Sequence, residues 1–220
     1  MRTSSRLVLA LAVSVAAPVA AKADPALSVY GGFQSAPHSG IRVTDGTEFT
    51  AGWKGKSFSP PPYWGVRGTW WLEEYGYDNI GIALDFSHTK VYADKETLKT
   101  KSPGWTHFEF TDGLNLLTLN GLYRFKQPGR FWTPYVGAGV GLNVPHVEVI
   151  RPSGKTWNYQ VGGVTGQLAG GVDFSVTEHI SVFSEYKFNY SHVNVKIDSG
   201  DHLKTNILTH AINFGLSYNF

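Results

Sequence analysis

The sequence predicts an all-β protein: an eight-stranded, antiparallel, up-and-down β-barrel that crosses a membrane. Three observations predict it. Apolar residues alternate with polar or small ones through most of the chain, the period-two mark of strands with two unlike faces. The connections between alternating segments are long and short by turns, which puts long loops on one rim and tight turns on the other. The composition also fits: among 220 residues, 25 are glycine and 14% are aromatic. Only 16% are charged, against about 25% in an ordinary soluble domain.

In chain order, the first segment reads as an address. Arg2 and Arg6 precede an apolar run from Leu7 to Ala21, and Ala21 and Ala23 are the small residues of a cleavage site. Residues 1–23 are therefore expected to be a removed signal peptide and 24–220 the barrel domain. The run is short of the roughly 20 apolar residues a spanning helix needs. After Ala23 the chain holds 16 basic and 17 acidic side chains, so the apparent basicity leaves with the leader. No basic domain remains to bind nucleic acid. The absence of cysteine excludes disulfides, thiolate metal sites and a thiol nucleophile.

Eight strands follow. The first lies near Leu27 to Phe33. In the second, Trp64, Val66, Trp70 and Leu72 share one face, with Arg67 and Thr69 on the other. Ile80, Ile82, Leu84 and Phe86 alternate with Gly81, Ala83, Asp85 and Ser87 in the third; the fourth lies within Leu114 to Phe125. Val136, Ala138 and Val140 alternate with Gly137, Gly139 and Gly141 in the fifth. This GxGxG run is lumen-facing rather than a phosphate cradle, because no helix follows it. Leu168, Val172 and Phe174 mark the sixth strand, Val182, Tyr186, Phe188 and Tyr190 the seventh, and Ile212, Phe214, Leu216, Tyr218 and Phe220 the eighth. The long loops run over 35–61, 91–106, 146–159 and 193–205, and the short turns over 73–79, 126–130 and 177–179. An even strand count with this loop rhythm is the pattern of a bacterial outer-membrane barrel, with short turns and both termini periplasmic.

The apolar face is expected to meet lipid and the polar face to fill the lumen. Arg67, Arg124 and Lys187 stand there against Asp85, Asp173 and Glu185, a balanced set in an interior only wide enough for side chains. A salt-bridged plug is the expectation, since buried charges persist when paired. One irregularity is visible. Phe108 and Phe110 are even-numbered, whereas Leu117, Leu119, Tyr123 and Phe125 are odd. Either a bulge at Asp112-Gly113 shifts the phase, or the two phenylalanines stand above the membrane.

Candidate chemistry gathers at the outer rim. His107 and Glu109 are two apart, hence on one strand face, and with Asp112 they could hold a divalent metal. His88 and Lys90 share the lipid-side face at the outer edge, where snorkelling and contact with a lipid phosphate or sugar are both open. His192 and His210 flank the last long loop and are expected to bind headgroups, as cross-strand neighbours if register allows.

The terminal Phe220 closes an aromatic strand that resembles the sorting signal read by the barrel-assembly machinery. Three segments resemble the outer-membrane lipid A oxidase family: GKSFSPPPYWGVRGTWW (Gly55 to Trp71), DFSHTKVYAD (Asp85 to Asp94) and HFEFTDGLNLLTLNGLYRF (His107 to Phe125). TPYVGAGVG (Thr133 to Gly141) and VFSEYKF (Val182 to Phe188) are shared with small barrels of the OmpA/OmpX and OmpW kind. The barrel itself is expected to be a monomer; separately, the resemblance implies an oxidoreductase of lipopolysaccharide. Its reaction converts the proximal glucosamine of lipid A to 2-aminogluconate, with molecular oxygen as acceptor. Such chemistry needs a base and an electron acceptor. With no cysteine and no flavin fold, a divalent metal at His107, Glu109 and Asp112 is the least strained cofactor. His88 is then the base and Lys90 the phosphate contact. The rival expectation is a non-enzymatic structural or surface-binding barrel, because fold does not fix function.

Overall fold

The computed structural model describes residues 24–220 apart from Pro103 and Thr111. The expected signal peptide, residues 1–23, lies outside the described residues. Eight long strands close a ring: β1 (Asp24–Ser35), β2 (Trp64–Leu72), β3 (Tyr77–His88), β4 (Leu116–Arg124), β5 (Trp132–Asn143), β6 (Gly163–Ser175), β7 (Ile180–Lys196) and β8 (His202–Asn219). Each pairs antiparallel with the next, and β1 pairs with β8 from Ala26↔Asn219 to Ser35↔His210, so no barrel edge is left open. The predicted eight-stranded barrel is the observed one.

The faces follow the alternation. Trp64, Trp70, Ile82, Leu84, Leu119, Val140, Tyr186 and Phe214 point outward and are exposed, while Arg67, Thr69, Asp85, Asn120, Gln167, Glu185 and Lys187 are buried inside. This inverts a soluble domain and suits a hydrocarbon surround. Gly65 is needed for space: a Cβ there would lie 2.1 Å from the Tyr30 ring, which fills the lumen beside it.

The long-loop rim differs from expectation. Residues 193–205 are not a loop. β7 and β8 have 17 and 18 residues and stay paired out to Lys196↔His202. A crossing needs only about 9–11, so this hairpin continues well past the membrane. A second hairpin, Ser39–Val43 with Glu48–Ala51, extends it through Leu203↔Val43 and Thr205↔Ile41. The other long connections form a separate five-stranded sheet, in the order Gly154–Tyr159, His146–Arg151, His107–Phe110, Val91–Ala93, Trp53–Lys54. This cap sheet closes onto the projecting hairpins over an apolar core that includes Trp53, Val91, Phe108, Phe110, Val147, Val149, Val193, Val195, Leu203 and Ile207.

Phe108 and Phe110 thus stand above the membrane, in a different sheet from Leu117 and Leu119, and owe them no phase. The join between the sheets is the turn at Gly113 and Asn115, both at positive φ (98° and 43°). Glycine tolerates that conformation at the first position, and asparagine is among the side chains that do so at the second.

Candidate functional site

The lumen holds a closed polar network. Arg67 contacts Asp85 Oδ2 through Nε at 2.6 Å and Glu185 Oε2 through Nη1 at 2.7 Å. Lys187 Nζ lies 2.9 Å from Asp85 Oδ2. Tyr30 donates to Asp85 at 2.6 Å and Tyr135 to Glu185 at 2.9 Å. Two cations, two anions and two phenols fill mid-barrel, a plug rather than a pore. The other two of the six lumen charges, Arg124 and Asp173, also face inward but sit nearer the short-turn mouth. Arg124 pairs with Glu73 at the short-turn rim, and Asp173 accepts from Ser181 at 2.8 Å. Both line a cavity of about 350 Å³ at that mouth, which Arg67, Tyr135 and Phe183 border from within.

At the long-loop rim, His88 and Lys90 do not present themselves to lipid. The 112–115 turn covers His88, whose Nδ1 lies 3.0 Å from Asn115 Oδ1, and its ring stacks on Trp64. Lys90 is fully buried; its ammonium donates to Ser59 O at 2.8 Å and Pro61 O at 2.5 Å. Burial lowers its pKa and Lys56 repels it, while Glu109 and Asp112 act the other way. Lys90 therefore ties the 55–63 segment to the rim in this conformation.

His192 and His210 are not cross-strand neighbours. Register pairs His192 with Asn206 and His210 with Phe188. The two histidines lie four steps apart along the hairpin, on the order of 13 Å. His192 Nδ1 meets Asn206 Oδ1 at 2.8 Å, and His210 Nδ1 meets the Tyr186 hydroxyl at 2.6 Å.

His107 and Glu109 do come together, and in richer company than expected. The outer face of the cap sheet carries a cross-strand row: Trp157 opposite Glu148, Glu148 opposite Glu109, Glu109 opposite Tyr92. His107 Nε2 lies 2.8 Å from Glu109 Oε1 and 3.2 Å from Glu148 Oε2. One strand over, His146 Nδ1 lies 2.8 Å from Glu148 Oε1 and 3.3 Å from Asp112 Oδ2. Asp112 thus belongs with His146, not with His107 and Glu109. The ligand atoms of each triad lie within 4.8 Å of one another. Trp157 stacks on His107, and Tyr159 packs against His146. Burial raises the pKa of Glu148; hydrogen bonds from both histidines oppose this, and the charge of Glu109 adds to it.

His146 and Glu148 carry no expectation from sequence, because residues 146–159 read there as loop rather than strand. A signal was present. His-x-Glu occurs twice, at His107-Phe108-Glu109 and at His146-Val147-Glu148. Antiparallel pairing with Glu109 opposite Glu148 sets the two histidines on either side of the acids.

Residues 7–220 match the family profile of the outer membrane protein beta-barrel domain. Among solved structures, the outer membrane protein AlkL in lipid bilayers aligns at 16% identity over 90% of each chain with a TM-score of 0.50. Neisserial surface protein A aligns at 15% identity over 90% of this chain and 97% of its own, TM-score 0.48. The N-terminal barrel of Pseudomonas aeruginosa OprF aligns at 16% over 90% and 100%, TM-score 0.43. Identities this low speak to fold alone. No curated protein matches the chain. The ring of eight strands and the family match together make this chain a bacterial outer-membrane β-barrel, a member of the outer membrane protein beta-barrel domain family.

Proposed function

We propose that the protein is a surface-binding barrel whose working end is the cap, facing out of the cell with both chain ends in the periplasm. The cap binds a divalent cation through His107, Glu109 and Glu148. One observation carries this. His107 Nε2 faces two carboxylate oxygens at 2.8 and 3.2 Å, yet a ring nitrogen carries at most one proton. Tetrahedral coordination with bonds of 2.0–2.1 Å spaces ligand atoms by roughly 3.3 Å, close to these separations. A cation satisfies all three groups at once. In purified barrel titrated calorimetrically with Zn(II), the His107→Ala, Glu109→Ala double variant loses the binding that wild type shows at this triad, read as a lower stoichiometry. Equal binding by both excludes the site.

A second reading, oxidation of lipid A, is favoured by the place of this cluster. Asp112 belongs to the turn that covers His88, and His88 lies opposite Trp64, at the height of the aromatic girdle where lipid sugars and phosphates begin. A redox-active divalent cation held there, such as iron or copper, would supply the electron path to oxygen that side chains lack. His88 and Lys90 could serve as base and phosphate contact only after Asn115 and the Ser59 and Pro61 carbonyls release them. Expression in a strain with unmodified lipid A, followed by mass spectrometry, decides it. A gain of one oxygen atom supports the oxidase, and unchanged lipid with folded barrel leaves the binding reading alone.

A further inference from the structure

We infer that the cap holds two divalent cations, not one, with Glu148 as the bridging carboxylate. This rests on the proposed cation site and extends it. The two oxygens of Glu148 are aimed at different imidazoles: Oε2 at His107 Nε2, 3.2 Å, and Oε1 at His146 Nδ1, 2.8 Å. Each imidazole nitrogen has a second carboxylate oxygen against it, Glu109 Oε1 at 2.8 Å and Asp112 Oδ2 at 3.3 Å respectively. The arrangement is therefore two His-plus-two-carboxylate-oxygen sets sharing one residue.

Protons alone serve this constellation poorly. Two nitrogens offer two protons to four facing oxygens. Three carboxylates against two imidazoles leave a net negative charge even with both rings protonated. Glu109 and Glu148 stand directly opposite each other across adjacent strands, a like-charge pairing that destabilises a sheet unless something neutralises it. Glu148 is 3% exposed and His146 5%, so water does little of that work. One divalent cation at each half-site, with both rings neutral, turns the net negative charge slightly positive and engages every facing oxygen. Carboxylate-bridged pairs of this kind hold their ions roughly 3.5–4 Å apart and bind an oxyanion between them. Trp157, stacked on His107, and Tyr159, tilted against His146, wall one side of the pair.

Counting ions tests this. Full-length mature barrel in detergent micelles is equilibrated with Zn(II), freed of excess by gel filtration, and assayed by elemental mass spectrometry, with folding checked by circular dichroism. The structure predicts two Zn per chain in wild type. His107→Ala and His146→Ala each keep one, and Glu148→Gln weakens both sites by at least tenfold. Co(II)-loaded wild type should show spin coupling that either histidine variant abolishes. One Zn in wild type, unaffected by His146→Ala, overturns the two-cation centre while sparing the single site. No Zn in folded wild type overturns both.

Discussion

The barrel wall and the cap are built from the same alternation and are turned inside out relative to each other. In the barrel, Leu84, Leu119 and Phe214 face outward and Arg67, Asp85, Glu185 and Lys187 face inward. In the cap, Phe108, Phe110, Val147 and Val149 face inward and His107, Glu109 and Lys155 lie on the outer face. The strands have no preference of their own for either arrangement. The surroundings choose: hydrocarbon takes the apolar face in one region, and water takes the polar face in the other. The difference also sorts the charges. Those in the lumen are mutually satisfied and hold the barrel shut; those on the cap set Glu109 directly opposite Glu148 across adjacent strands.

The largest effect expected from breaking this contrast is in the lumen. Arg67→Met leaves Asp85 and Glu185 short of their shared partner in a dry interior. It should cost about 3–5 kcal/mol of barrel stability, read as a lower urea midpoint in micelles. A loss under about 1 kcal/mol would mean that water enters the plug. Next comes the cap core. Phe110→Ala removes a fully buried ring and should cost about 3–5 kcal/mol of cap stability. Hydrogen exchange should rise across residues 91–110 and 146–159 but stay slow in β1 to β6. Faster exchange throughout would show that cap and barrel fold as one unit.

The smallest effect concerns the tip of the cap, where Arg151 clasps Asp45 at 2.5 Å, Asp198 at 2.7 Å and Asp201 at 2.6 Å. A backbone hydrogen bond from Thr47 chiefly holds the Asp45 carboxyl below its usual range, with Arg151 adding to it. For Asp198, burial pushes upward, but hydrogen bonds from Arg151 and Ser153 prevail and its pKa is lowered. Groups depressed in the folded state stabilise it above the unfolded carboxylate value, about 3.9, and lose that contribution as pH falls through the folded value. The clasp is therefore intact at neutral pH and should loosen below about pH 4. Exchange at residues 43–48 and 197–202 should quicken there in wild type. In Arg151→Ala it should be fast at neutral pH already.

The barrel was legible because lipid enforces the pattern: each crossing strand must keep one apolar face, so Ile80 to Phe86 or Ile212 to Phe220 announce themselves. The cap was not, because its strands are two to six residues long and water tolerates any phase on their outer face. Val193, Val195, Ile197 and Leu203 did carry an alternation past the membrane, although nothing local told what would cover it. Half the candidate site was visible as His107 and Glu109. The other half needed the pairing of residues about 40 positions apart, which only the closed cap supplies. The same closure withdrew His88 and Lys90 from the lipid face, through contacts with Asn115, Ser59 and Pro61 that no spacing rule encodes.

The central claim is that the outer face of the cap is a cation site, and anomalous diffraction from a Zn(II)-soaked crystal tests it most directly. The account predicts a peak at the zinc edge within bonding distance of His107 Nε2, Glu109 and Glu148. Density showing those three groups still hydrogen-bonded to one another, with zinc elsewhere or absent, would contradict it.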